Sequence, residues 1–245
     1  MGSEQVALVT GAASGFGRGL TEALCAQGVR VLACDIDEVA GREVASATGA
    51  LFVRCDVSRP EDSAAAVAAA LDAHGGLDKA FLNAGVAYGS ALGEDFDLAA
   101  YRRAMGVNLD GVVFGINAVL PAMKLRGAGA IVVTASLAGL TATPIDPVYA
   151  ANKHGVVGLV RSLGPVLIQD GVRINAVCPG FAETAIIGPI REALLEQGVA
   201  IIPVAQVVAV VQELLDGEMT GECWFVQAGR ESAPFRFRGI PGQRG

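Results

Sequence analysis

The chain has 245 residues, 52% of them hydrophobic and 18% charged, with a net charge of −7. That is enough apolar material for a large core, and it excludes a disordered chain. The acidic balance offers no basic field to nucleic acid or an anionic membrane, so neither is expected as a partner.

The N-terminal stretch lacks a basic segment followed by an apolar one, so no signal peptide is read and a cytoplasmic location is expected. The apolar stretch around residues 199–215 is broken by Pro203, Gln206 and Gln212 and is too interrupted to span a bilayer. Cys25, Cys34, Cys55, Cys178 and Cys223 are odd in number and scattered. They read as buried thiols, not as a disulfide framework or a metal site.

In chain order, short apolar runs predict strands over Val6–Gly11, Val29–Asp35, Ala50–Val57, Leu77–Gly85, Gly129–Ser136, Val172–Gly180 and Glu222–Gly229. Between them, helical patterns cover Gly17–Gln27, Glu38–Ala47, Pro60–His74, Leu98–Met123, Tyr149–Gln169 and Pro203–Leu215. Strands that are apolar almost throughout suit a sheet covered on both faces, as right-handed strand–helix–strand units produce. The expected architecture is α/β: a single-domain Rossmann fold whose doubly wound parallel sheet has about seven strands. The domain is expected over residues 1–231, with 232–245 as a C-terminal arm. The arm's Gly, Pro and Arg leave open whether it covers the site, reaches a neighbouring subunit or is disordered.

The turn after the first strand reads Thr10-Gly11-x-x-Ser14-Gly15-Phe16-Gly17. Glycine there permits a tight turn, close approach to a pyrophosphate and tight helix–sheet packing, while the helix N-terminus offers free N–H groups to the anion. The second strand ends at Asp35, 24 residues after Gly11, near the roughly 20-residue offset at which a carboxylate meets the adenosine ribose. A carboxylate accepts from a free 2′-hydroxyl and repels a 2′-phosphate. Neither Ser14 nor Ile36 supplies a cation for that phosphate, so the expected cofactor is NAD.

Tyr149 and Lys153 stand four residues apart, on one face of a helix. A free tyrosine ionises near pH 10, and a nearby ammonium favours its phenolate, which would poise it for acid/base work. Ser136 ends the fifth strand on the rim where ligands of such sheets gather, and its hydroxyl could hold a substrate oxygen. Each feature has an ordinary reading: a solvated helix pair, a turn serine, a glycine turn.

Together, Thr10-Gly11-x-x-x-Gly15-x-Gly17, Asp35, Asp56-Val57, Asn83-Ala84-Gly85, Asn108, Ser136, Tyr149-x-x-x-Lys153 and Pro179-Gly180-x-x-x-Thr184 span nearly the whole chain. The sequence resembles the short-chain dehydrogenase/reductase family, in its compact NAD-dependent branch. Within that branch it looks most like hydroxyprostaglandin-dehydrogenase-like bacterial members acting on lipophilic secondary alcohols. The resemblance implies that Tyr149 is the acid/base and Ser136 polarises the substrate oxygen. It implies that Lys153 binds the nicotinamide ribose and lowers the tyrosine pKa. Asn108 would distort its helix and help hold a water linking Lys153 to solvent. Asp56 and Val57 would frame the adenine, Asn83, Ala84 and Gly85 would form the cofactor wall, and Thr184, after the Pro179-Gly180 turn, would contact the carboxamide. By the same resemblance the chain should form a homodimer or homotetramer through the helices at Leu98–Met123 and Tyr149–Gln169.

Two departures from the family pattern stand out. Leu82 replaces the first asparagine of the usual Asn-Asn-Ala-Gly, and the segment between Thr184 and Pro203 is a short lid. Motif adjacency nominates Leu137, Val148, Phe181 and Tyr88 as pocket lining. The expected function is alcohol–ketone interconversion with hydride transfer. A non-catalytic NAD sensor and a sugar-nucleotide epimerase or dehydratase are the alternatives.

Overall fold

The computed structural model describes residues 5–87 and 92–239. Eight strands form one sheet in the order β3-β2-β1-β4-β5-β6-β7-β8. They are β1 Val6–Thr10, β2 Arg30–Asp35, β3 Leu51–Arg54, β4 Lys79–Leu82, β5 Gly129–Thr134, β6 Val172–Pro179, β7 Cys223–Val226 and β8 Ala233–Pro234. The first seven run parallel; β8 is antiparallel to β7. The strand order reverses direction between β1 and β4, which opens a crevice at their carboxyl ends.

The helices are α1 Gly15–Ala26, α2 Glu38–Thr48, α3 Pro60–His74, α4 Leu98–Met105, α5 Gly111–Arg126, α6 Pro147–Leu167, α7 Arg191–Glu196 and α8 Val204–Asp216. Alternation along each strand divides the core. Leu8, Leu82, Val133, Ala176 and Cys178 face α3, α5 and α6, whereas Ala7, Val9, Val132 and Val177 face α1 and α8. The starts of the helices follow from the sequence: Asp37, Asp97 and Asp146 cap α2, α4 and α6 with side-chain carboxylates. Gly49, Gly75 and Gly127 close α2, α3 and α5 in the left-handed conformation that glycine adopts without strain.

Three features refine the expectation. The long helix expected over Leu98–Met123 runs as α4 and α5 joined by a π turn, Gly106–Asp110, the distortion at Asn108 that the resemblance implied. Together they make a helical stretch long and apolar enough by composition to cross a membrane. It lies instead along the sheet, burying Val112, Ile116, Val119 and Met123. The lid contains a 3-10 segment, Ala185–Ile190, and the short α7. Both its ends are fastened, because Ala182 bridges Ile202, and Glu183 forms a two-point ion pair with Arg191 at 2.7 and 3.2 Å.

The third difference is the arm, which supplies an eighth strand. Phe225 pairs with Ala233, and the Phe235 N–H donates to Cys223 O at 2.8 Å. Phe235 and Phe237 meet edge to face at 4.9 Å, and the Arg161 guanidinium of α6 lies 3.7 Å from the centre of the Phe237 ring. The arm therefore covers the outer edge of β7, a surface that would otherwise present unpaired backbone groups. Deleting residues from Ser232 onward should remove about 2 kcal/mol and lower the melting temperature by roughly 4–8 °C, with the far-UV circular dichroism retained. An unchanged melting temperature would show that the arm contributes nothing to the fold.

Candidate active site

The site is built at the carboxyl ends of β1, β4, β5 and β6. Gly11 and Gly15 have φ of +65° and +51°, which only glycine adopts readily. A Cβ on Gly17 would run into the Gly11 carbonyl, so the turn folds back on itself and α1 starts directly beneath it. Ser14 stands at the α1 N-cap position without using its side chain to cap, and Phe16 follows in a first turn whose N–H groups have no intrahelical partner. A helix start of this kind offers N–H groups and a positive dipole end to an anion.

Asp35 sits at the end of β2. Its carboxylate accepts from Ala13 N–H at 2.9 Å and Asp37 N–H at 3.0 Å. Two bonds leave a carboxylate with lone pairs to spare, fixed beside the glycine turn. Ile36 follows with its side chain exposed. Asp56 accepts from the backbone and hydroxyl of Ser58, at 3.0 and 2.6 Å, which shapes the turn after β3, and Val57 is buried under it.

Asn83 connects three strands. Its amide donates to Thr10 O at 3.1 Å and Gly11 O at 3.4 Å, and its carbonyl accepts from the Thr134 hydroxyl at 3.0 Å. The Thr10 hydroxyl in turn accepts from Asn83 N–H and Ala84 N–H, at 2.9 and 3.2 Å. Leu82, the departure noted above, is buried and packs where a Cβ on Gly115 would meet it.

Gly85 leaves space for two polar groups. A Cβ there would stand 3.3 Å from Asn108 Oδ1 and 3.8 Å from Lys153 Nζ. Asn108 lies in the π turn, fully buried, and its carboxamide exchanges two 2.8 Å hydrogen bonds with the backbone of Val86. Lys153 is 2% exposed and donates to Thr134 O at 2.7 Å. Its ammonium is 5.6 Å from the centre of the Tyr149 ring. Ser136 lies two residues beyond β5, where its Oγ accepts from Ala138 N–H at 3.1 Å and donates to Pro179 O at 3.4 Å. Gly180 N–H donates to Val226 O, and Thr184, at the start of the lid, lies against Gly15, where an added Cβ would stand 3.2 Å from its methyl.

Ser136, Tyr149, Lys153 and Asn108 thus converge beside the glycine turn. Not every expected contact is found. Val148 points away from the crevice and packs with Ala104 against α4. Leu137 packs over Gly180, Phe181 is exposed at the base of the lid, and Tyr88 lies outside the described residues. Thr134 and Asp146 were not nominated from the sequence. Thr134 gives no residue-type signal, because its backbone carbonyl holds Lys153. Asp146 could have been found as an N-cap followed by proline at the first helical position.

The electrostatics reverse one expectation. Tyr149 keeps some residue-level exposure, but its neighbours crowd it, and this desolvation pushes its pKa up to about 12. A hydrogen bond with Ser136 pulls it down, and the charge of Asp146 pushes it up. Burial likewise lowers Lys153 to about 8. In the polypeptide alone, then, desolvation outweighs any help that Lys153 gives to the phenolate.

A family described as short chain dehydrogenase matches residues 5–195. The chain is 39% identical over 185 residues to a 2,5-dichloro-2,5-cyclohexadiene-1,4-diol dehydrogenase of Sphingobium indicum, covering 74% of each. It is 37% identical over 196 residues to a cyclohexanol dehydrogenase of an Acinetobacter species, covering 78% of each. Among solved structures, a Brucella melitensis 3-ketoacyl-(acyl-carrier-protein) reductase complexed with NADH superposes with a TM-score of 0.84 at 29% identity, covering 92% of this chain and 98% of the other.

A lysine whose pKa falls from 10.5 in the open chain to about 8 on folding costs stability wherever the open chain would keep the proton. The cost is full below pH 8 and fades as pH rises towards 10.5. Lys153→Met should therefore gain melting temperature relative to the parent at pH 7, and the gain should shrink by pH 10. A difference that stays constant across that range would contradict the buried-ammonium account.

Proposed function

The chain belongs to the short-chain dehydrogenase family, and we propose that it is an NAD-dependent oxidoreductase interconverting a lipophilic secondary alcohol and its ketone. The convergence of Ser136, Tyr149 and Lys153 beside the Gly11–Gly17 turn carries this reading. When bound, the nicotinamide would supply the hydride acceptor or donor. The turn would hold its pyrophosphate, Asp35 its adenosine ribose, Asp56 and Val57 its adenine, and Asn83, Ala84, Gly85 and Thr184 would flank the nicotinamide half.

In oxidation, Tyr149 takes the substrate's hydroxyl proton while Ser136 donates to the oxygen as it becomes a carbonyl. In reduction the high pKa of Tyr149 keeps it protonated and ready to give that proton back. Lys153, held by Thr134 O, binds the nicotinamide ribose and, together with the positive ring of the oxidised cofactor, opposes the burial that disfavours phenolate. Asn108 holds the Val86 backbone and, by the π turn, exposes helix carbonyls to a water leading from Lys153 outward.

Apolar side chains on the segments after β5 and β6 support a lipophilic substrate: Ile145, Phe181 and Ile186 are all exposed. The dehydrogenases of cyclic alcohols among the relatives support a ring-borne hydroxyl. The carboxylate of Asp35 favours NAD over NADP by charge, and a structural neighbour complexed with NADH is compatible with that choice. Exposed Val113 on α5 and Val166 on α6 leave apolar positions on the helices through which a homodimer or homotetramer would form.

The test is NADH formation followed by absorbance with cyclic, aryl, steroid and aliphatic secondary alcohols, with NADP⁺ run in parallel. Tyr149→Phe should lose about 10³-fold in kcat/KM while still binding NAD⁺. Asp35→Ala should weaken NAD⁺ more than NADP⁺. A parent enzyme that prefers NADP⁺ would refute the role given to Asp35, and an active Tyr149→Phe would refute the acid/base assignment.

A further inference from the structure

The ladder between β1 and β4 ends at the Val9–Phe81 pair, and that between β4 and β5 ends at Leu82–Val133. Asn83 and Thr134 stand where the next β4–β5 pair would fall, and Thr10 follows the last β1 pair. Side chains join the strands there. The Thr134 hydroxyl donates to Asn83 Oδ1 at 3.0 Å, and the Asn83 amide donates to Thr10 O and Gly11 O at 3.1 and 3.4 Å. A Cβ on Gly11 would stand 3.0 Å from that amide nitrogen, so the glycine turn and the carboxamide are in close contact. Thr134 also gives its backbone carbonyl to Lys153 Nζ at 2.7 Å. One residue at the end of β5 thus bonds towards the glycine turn by its side chain and to the lysine by its main chain.

The hydroxyl needs a reason. The two residues before Thr134 on β5, Val132 and Val133, are buried valines, and valine has the branched shape of threonine. Strand packing alone would be served by a third valine. What valine lacks is the proton given to Asn83. The two ends of a carboxamide are nearly alike in shape, and their partners decide which way the group points. With the Thr134 hydroxyl in place, the oxygen is held on the β5 side and the NH₂ is aimed at the carbonyls of Thr10 and Gly11. With a methyl there instead, Oδ1 would face an apolar group. A flipped amide would set its oxygen against the two carbonyls. Each of those arrangements leaves a polar atom unpaired.

We propose that Thr134 is a positioning residue whose hydroxyl, acting through Asn83, holds the glycine turn in the shape that binds a pyrophosphate. The proposal rests on the nucleotide reading of that turn. It adds that nucleotide affinity is set from β5, by the same residue whose carbonyl holds Lys153. Without the hydroxyl the turn samples other shapes, and the apparent affinity falls with the fraction of molecules that keep the competent one.

The test compares Thr134→Val, which removes the hydroxyl and keeps the shape, with Thr134→Ser, which keeps the hydroxyl. Both leave the carbonyl that holds Lys153. Amide hydrogen exchange of each protein without nucleotide, read by mass spectrometry on peptides covering the Thr10–Gly17 turn, reports the turn itself. NAD⁺ affinity is measured by isothermal titration calorimetry, with melting temperature as the control for folding. In Thr134→Val, exchange in the turn should quicken by roughly 5- to 20-fold, and NAD⁺ should bind more weakly by a similar factor. Thr134→Ser should stay within about 2-fold of the parent in both readouts. In an Asn83→Ala background, Thr134→Val should change the affinity by less than about 2-fold, because the hydroxyl then has nothing to hold. Unchanged exchange or unchanged NAD⁺ affinity in Thr134→Val refutes the proposal. So does a Thr134→Ser protein that loses as much as Thr134→Val, since the missing methyl would then be the cause. If the exchange difference is present and the parent binds no NAD⁺, it is the nucleotide reading of the turn that fails.

Discussion

The carboxamide of Asn83 is the tie on which the site's geometry depends. It spans the ends of β1, β4 and β5, donating to the carbonyls of Thr10 and Gly11 and accepting from Thr134. The same Thr134 gives its backbone carbonyl to Lys153. A continuous path of hydrogen bonds thus joins the glycine turn to α6, two elements that lie more than a hundred residues apart in the chain. Because each of these groups is largely withdrawn from water, a broken link would leave a partner unsatisfied, so the network holds one arrangement and not several. The turn cannot shift without moving the strand ends, and the strand ends cannot move without disturbing the lysine.

That rigidity lets the fold keep charges where a softer structure would expel them. Lys153 is held as a nearly buried amine and Tyr149 as a crowded phenol, and in each case desolvation disfavours the ionised form. Left to themselves the two drift towards neutrality: a phenol that keeps its proton and a lysine more willing than usual to release one. The chemistry needs the opposite charge distribution at one moment of the cycle. On the acid/base reading proposed above, the positive charge of a bound oxidised nicotinamide would tip the pair and make Tyr149 responsive to occupancy of the crevice. A site tuned to be fully ionised without that charge would have less use for being buried.

Much of this was legible in the sequence, for physical reasons that differ from part to part. Strands covered on both faces read as unbroken apolar runs, so β1, β2, β5 and β6 were placed within a residue or two. Glycines that must take positive φ or meet another backbone cannot be replaced by other residues, and so Gly11, Gly15 and Gly17 announced the turn. Asp35 was visible from its distance to that turn. What was hidden depended on contacts distant in sequence. The π turn around Asn108 has no signature in residue periodicity and was anticipated only through the family resemblance, because it is maintained by the bonds that Asn108 makes with Val86. The eighth strand has a two-residue core and owes its existence to the free edge of β7 and to Arg161 lying on Phe237. Val148 looked like pocket lining because it precedes Tyr149, but helix geometry turns adjacent residues by about 100° and sends it towards α4 instead. The effect of Lys153 on Tyr149 was overestimated because charge proximity can be read from spacing, whereas burial cannot.

The short lid belongs to the same logic. Its two ends are fastened by the Ala182–Ile202 bridge, and Glu183 pairs with Arg191 within it, so the segment is a closed loop standing on the rim. Thr184 at its start faces Gly15 of the glycine turn. The start of the lid is therefore tied to the glycine turn, whereas exposed Phe181 stands at its base and exposed Ile186 on the lid itself. On the function proposed above, a group bound at the glycine turn would meet the lid at its anchored end, beside Thr184.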